Sequence, residues 1–202
     1  MRKPVFAAIS AALPRLKTYK PKIEKAPLIL PPKSIISVNT HEIDAADTLS
    51  KHLRSYIHKK FVILCIGTDL CIGDCLGPLI GSRLLEHNLP IPVIGTLKNP
   101  VHAVNFHDKL SYIRSHYQGY KILAIDAALS ANLKRIGMII LEHGQLLPGI
   151  GAGNRLPAVG DINITGIVNT KYINPLSDIR LSLVVDMADV IASSIVKSIP
   201  RV

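Results

Sequence analysis

The feature that most limits what this chain can become is the run Phe61-Val62-Ile63-Leu64-Cys65-Ile66, followed by a loop and then by Gly77-Pro78. Six unbroken apolar residues are too few for a typical helix and lack the alternation of a half-exposed strand. They fit a strand covered on both faces, as at the centre of a parallel sheet. The loop runs Gly67-Thr68-Asp69-Leu70-Cys71-Ile72-Gly73-Asp74-Cys75-Leu76. Pro78 then stands where a helix tolerates a missing N–H, which predicts a helix from Gly77 to about Glu86.

The unit recurs. Residues 91–94 predict a short strand, 101–117 a helix, and 120–125 a second buried strand that ends at Asp126. A further strand is expected near 137–141. The glycine-rich stretch 148–160 leads into a strand over 162–168. Ser177 stands as the cap of a long last helix, with Leu183, Met187, Val190, Ile191 and Ile195 on one face. Earlier, Ile43, Ala46, Leu49, Leu53 and Ile57 recur at helical intervals after Thr40. Strand–helix alternation of this kind predicts a three-layer α/β domain, its sheet mostly parallel and its helices on both faces. A chain of 202 residues is long enough for one such core. With no tryptophan and few aromatics, that core is aliphatic.

The net charge of +10 is unevenly spread. Arg2, Lys3, Arg15, Lys17, Lys20, Lys22, Lys25 and Lys33 crowd the first segment, where Glu24 is the only acid. Pro4, Pro14, Pro21, Pro27, Pro31 and Pro32 punctuate it, so residues 1–39 read as a basic arm or linker and 40–202 as the domain. A block of like charge is ordinarily a solvated tail, although it can attract acidic proteins, nucleic acid or anionic membrane. Aromatics do not interleave with the basic residues, so no specific nucleic-acid recognition is expected. Met1-Arg2-Lys3 before the apolar run 5–13 imitates a signal peptide, but the run is short and Pro14-Arg15-Leu16-Lys17 follows it. Val5, Phe6, Ile9, Leu13 and Leu16 equally suit a docking helix. No apolar stretch reaches the roughly 20 residues that span a bilayer. Cys65, Cys71 and Cys75 are odd in number and match no common zinc pattern, which points to a reducing, cytoplasmic setting.

Ligand sites in open α/β sheets form beyond the carboxyl ends of the strands. Asp126 ends one predicted strand and Asp74 lies in the loop after another. Two carboxylates in one partly dry crevice cannot both ionise cheaply, so one serves as acid while the other acts as base on a water. Backbone N–H groups at the start of the Gly77-Pro78 helix, or along a glycine loop, are suited to a developing oxyanion. The same oxygens also suit a divalent metal if Asp161 or His102 joins them. The plain alternatives are a helix-N-terminal acid for Asp74 and a turn cap for Asp126. The glycines match neither G-x-G-x-x-G nor a P-loop, which argues against a nucleotide. Cys75 with His102 or His107 is a further nucleophile arrangement, weaker because the histidines fall on another predicted helix.

These blocks resemble a known family. Cys65-Ile66-Gly67-Thr68-Asp69 with Gly73-Asp74-Cys75-Leu76-Gly77-Pro78-Leu79-Ile80-Gly81 is similar to the signature of the YyaC-type sporulation proteins, a group classed with spore proteases. Gly95-Thr96-Leu97 with Pro100-Val101-His102-Ala103-Val104-Asn105 matches a second block, and Ala124-Ile125-Asp126-Ala127 a third. Pro148-Gly149, Gly153-Asn154, Leu156-Pro157 and the run from Val159 to Asn169 form the fourth. The likeness covers roughly residues 40–197. It implies kinship with the germination protease of spore formers and with the hydrogenase maturation proteases, and a phosphorylase/hydrolase-like fold. The germination protease is regarded as an aspartic-type endopeptidase acting on small acid-soluble spore proteins, and its two important aspartates match Asp74 and Asp126. In the hydrogenase maturation proteases the same positions bind nickel with a histidine that falls near Asp161.

The resemblance thus implies a sporulation- or germination-associated peptidase in the forespore or spore interior, acting on a protein or peptide. Asp74 and Asp126 would be catalytic, and Gly73, Thr96, His102 and Asn163 would line the cleft. Asp74, Asp126 and Asp161 are the metal candidates, although Asp161 is not the relatives' histidine. The alternatives are a non-catalytic sporulation protein that binds a partner in the same cleft, and a metal-dependent hydrolase.

Overall fold

The computed structural model describes residues 33–57, 60–149, 156–170 and 179–200. The strands are β1 (Lys33–Asn39), β2 (Phe61–Cys65), β3 (Val93–Ile94), β4 (Lys121–Ser130), β5 (Met138–His143) and β6 (Ile162–Thr170). The helices are α1 (Ala45–Leu53), α2 (Leu76–Glu86), α3 (Phe106–His116) and α4 (Leu181–Ser198). One sheet joins all six strands in the order β1-β5-β6-β4-β2-β3. β3, β2, β4 and β6 run parallel, while β5 is antiparallel to both β6 and β1. The expected α/β architecture, mostly parallel, is therefore present.

The apolar run forms the predicted strand because both of its faces are covered. Phe61, Ile63 and Cys65 enter one core, and Val62, Leu64 and Ile66 the other. On the first face α1, α2 and α4 supply Leu49, Leu53, Ile80, Leu84, Met187 and Ile191. On the second, α3 supplies Phe106, Leu110 and Ile113, with Leu146 and Val159 beside them. Each such side chain, once buried, contributes about 2 kcal/mol before its ordering cost.

Glycines on α2 set how closely the helix approaches the sheet. A Cβ at Gly77 would stand 2.1 Å from the Ile66 carbonyl oxygen, and one at Gly81 only 1.8 Å from that of Gly95. The four-residue spacing puts both on one helix face. Only a residue without a side chain fits either position.

Several boundaries differ from expectation. Residues 33–39 are not part of an arm: they form edge strand β1, held antiparallel along β5. The run Lys-Ser-Ile-Ile-Ser-Val is rich in β-branched residues, and the proline-rich basic stretch directly before it, ending at Pro31-Pro32, masked the strand. Residues 1–32 lie outside the described residues, as does the Ser177 cap. α4 begins only at Leu181, with Arg180 at the N-cap position and no side-chain cap bond. β4 continues to Ser130, so Asp126 stands within the strand and not after it. Among the described residues, no helix is long and apolar enough to cross a membrane.

Candidate functional site

β2 and β4 are neighbours. Cys65 pairs with Ile125, and the Ile66 N–H donates to the Ile125 carbonyl at 2.8 Å. From β2 the chain moves outward to β3, then returns to β4 on the other side of β2. Such a reversal opens a crevice at the carboxyl ends of the two strands, where ligand sites form in sheets of this class. Loop 67–75 leaves β2 there, and β4 runs past the last residue of β2.

Asp74 sits in a 3₁₀ turn, Gly73–Cys75, that leads directly into α2. The turn is drawn back onto the strand end: the Asp74 carbonyl accepts from the Thr68 N–H at 3.0 Å. A Cβ on Gly67, whose φ is +143°, would meet that carbonyl oxygen at 1.9 Å. The close fold thus requires glycine at 67. Burial holds the Asp74 carboxyl above the usual carboxylate range.

Asp126 is half-buried, and its Oδ1 accepts from the Ala127 N–H at 2.9 Å. The Gly149 N–H also favours its charged form. Burial is the main cause that pushes its carboxyl up to about 8, and the charge of Asp74 adds to it; the two N–H groups act in the opposite sense. The two carboxyl groups therefore feel one another across the β2–β4 crevice. A pair of this kind suits the exchange of protons with a water, one group serving as acid and the other as base.

The other expected site residues divide. Thr96 lies two residues beyond β3, buried, with its hydroxyl accepting from the Asn99 N–H at 3.1 Å. His102 follows Val101, which bridges to Ile66, so it too lies at the carboxyl edge, partly exposed. Gly73 is buried and faces the core: a Cβ there would meet Ile179 at 2.5 Å. It acts as a packing residue for the Asp74 turn. Asn163 does not line a cleft. It is fully buried, its amide donates to the Gly144 carbonyl at 3.1 Å, and its oxygen accepts from the Thr165 hydroxyl at 3.4 Å.

Asp161 is not brought to the pair. Its carboxylate accepts from the Ile122 N–H at 2.9 Å, beside the start of β4. Ile122 and Asp126 are four strand residues apart, roughly 13 Å. Asp161 lines a different cavity, of about 360 Å³, with Tyr56, Lys121 and His143. Among the described residues, no group of three or more His, Cys, Asp or Glu side chains is gathered to hold a metal. The three-aspartate metal set therefore does not fit. Nor does a cysteine nucleophile gain support. Cys75 is buried, and burial, then Asp69 and Cys71, pushes its thiol up. His107 is exposed on α3, across the sheet from α2.

Two contributors were not anticipated as such, the Ala127 and Gly149 N–H groups. A signal for the second exists in Pro148-Gly149, since Gly149 adopts a φ of +73°, which favours glycine. No residue pattern announces a backbone donor.

Fold and site together define an α/β protein with an aspartate pair at the switch point of its parallel strands. The chain belongs to the family described as "Protein of unknown function (DUF1256)", whose model matches residues 37–194. It is similar to the uncharacterized protein YyaC of Bacillus subtilis (strain 168), being 42% identical over 151 residues, which cover 73% of each chain. The YyaC-type resemblance read from the sequence blocks is thereby shown.

Proposed function

We propose that this chain is a peptidase in which Asp74 and Asp126 act on a water and a peptide carbonyl. The observation that supports the reading is the pairing of β2 with β4, which brings the Asp74 turn and Asp126 to one carboxyl edge, where burial raises both carboxyls. In this mechanism the Asp74 carboxylate takes a proton from water, and the resulting hydroxide bonds to the carbonyl carbon. Asp126 gives its proton to the carbonyl oxygen, forming a neutral gem-diol. Asp74 then passes its proton to the leaving nitrogen and Asp126 recovers one from the diol as the C–N bond breaks. Both groups end as they began.

Exposed apolar side chains around the same edge support a polypeptide as the substrate. Leu70 and Ile72 project from the loop after β2, and Leu97 and Val104 from the segment after β3. A rim of this kind suits an unfolded apolar segment. The likeness to the germination protease, with its two matching aspartates, favours the same chemistry and a setting in the spore.

The test is incubation with an unfolded protein and with small acid-soluble spore proteins, followed by mass analysis of fragments. Asp126→Asn should lower the cleavage rate by about 10²–10⁴-fold, the usual contribution of a positioned acid or base. A variant that cleaves at the native rate removes Asp126 from the mechanism. The apolar rim also favours a second reading, a protein that binds a peptide there without cutting it. Saturable binding with no fragments across pH and added metals would select that reading.

A further inference from the structure

A second cavity, of about 370 Å³, opens where the carboxyl end of β6, the start of α4 and the turn after β1 meet. Its polar lining comes from His41, Asn169, Arg180, Ser182 and Asp186. How Asn169 reaches it depends on an irregularity in the β4–β6 ladder. Ala128 pairs with Ile167, but Leu129 pairs with Asn169, so Val168 is an extra residue. A bulge of this kind shifts the in–out alternation. Asn169 consequently shares a face with Leu129, which packs into the core on the α4 side. It is 6% exposed, and its buried amide Nδ2 has no hydrogen-bond partner among the described residues.

Beside that orphan donor begins an 18-residue helix with no side-chain cap bond and no acid in its first turn. The N–H groups of its first residues have no intrahelical acceptor, and the positive end of its dipole faces the same place. Arg180 adds a full charge, and Ser182 and His41 add polar groups. Buried amide, open helix start and guanidinium converge on one small volume.

We infer that this cavity binds an oxyanion, a phosphate or carboxylate group held by Arg180, Asn169 and the first turn of α4. Asp186, one turn further along, lines the same cavity and favours a ligand with a hydrogen-bond donor next to its oxyanion. Hydrogen phosphate and a hydroxycarboxylate both meet that description. The inference is independent of the peptidase reading, since none of these residues belongs to the aspartate pair.

The test uses the full chain in a buffer free of both anions. Inorganic phosphate and glycolate are titrated separately by calorimetry and thermal melting, at matched ionic strength with sodium chloride as control. One saturable site is expected for at least one anion, and the arm that saturates identifies the source of the oxyanion. At a hundredfold excess over Kd the melting temperature should rise by roughly 5–10 °C. Arg180→Gln, at an exposed position, and Asn169→Ser should each weaken binding tenfold or more. Lys134→Gln, outside the cavity, should leave it unchanged. Absence of saturable binding for both anions overturns the inference. So does equal binding by the Arg180→Gln and Asn169→Ser variants, or an equal loss in Lys134→Gln, which would mean diffuse charge attraction.

Discussion

Asp126 binds a proton in the folded chain that it would release at moderate pH when unfolded, and this has two measurable consequences. Its ordinary value is 3.8 and the folded value is about 8, so between those limits the native state holds more protons. Stability is therefore greatest below about pH 4 as far as this group is concerned, and falls as pH rises through about 8. The loss should be on the order of 2 kcal/mol after allowing for water at a half-buried group, measured by urea melts at pH 5.5 and 8.5. Asp126→Asn, which cannot ionise, should flatten that dependence. A native-like slope in the variant would assign the proton elsewhere. If Asp126 acts as the acid, kcat/KM should also decline above about pH 8. An activity rising steadily to pH 10 would contradict that role.

At the scale of the element, α2 is the decisive piece, because the 3₁₀ turn that leads into it carries Asp74 and its glycines set its depth. In an exposed helix, Gly→Ala is stabilising by about 1 kcal/mol. At Gly81 the sign should reverse. The new Cβ would fall on the Gly95 carbonyl, a backbone atom that cannot swing aside. Gly81→Ala is expected to destabilise by about 2–3 kcal/mol, the usual scale of overpacking, as read by chemical denaturation. Stabilisation instead would mean that α2 does not sit this close to the sheet. Legibility in the sequence was uneven at this scale. β2, α2 and α4 were read nearly to their ends because burial left continuous or periodic apolar patterns. β3 shrank to two residues and α3 began five residues late, at Phe106, because loops at the carboxyl edge also hold apolar residues such as Val101 and Val104.

Across the whole molecule, the sheet closes on one side with β1, the strand that had been read as arm. Its six pairings along β5 cover an edge that would otherwise expose backbone donors and acceptors. Thr40 adds a hydroxyl bond to the Gly137 carbonyl at 2.6 Å, and Val38 is buried in the core. A chain beginning at Thr40 should therefore melt roughly 2–8 °C below one beginning at Lys33, the scale set by a loss of about 1–2 kcal/mol. Equal melting temperatures would show that β1 contributes nothing to the fold.

By itself the sequence determined the class of fold and the two aspartates, since buried strands leave unbroken apolar runs and the residues that end them are conspicuous. It also carried the family likeness in four blocks. Tertiary structure alone decided which strands are neighbours, and hence that Asp74 and Asp126 share the β2–β4 crevice while Asp161 is held beside the start of β4, at Ile122, roughly 13 Å along the strand from Asp126. It alone turned Asn163 inward and, through one extra residue, turned Asn169 towards α4. Proximity across a sheet depends on strand order and register, and those arise from packing between segments that no local pattern encodes.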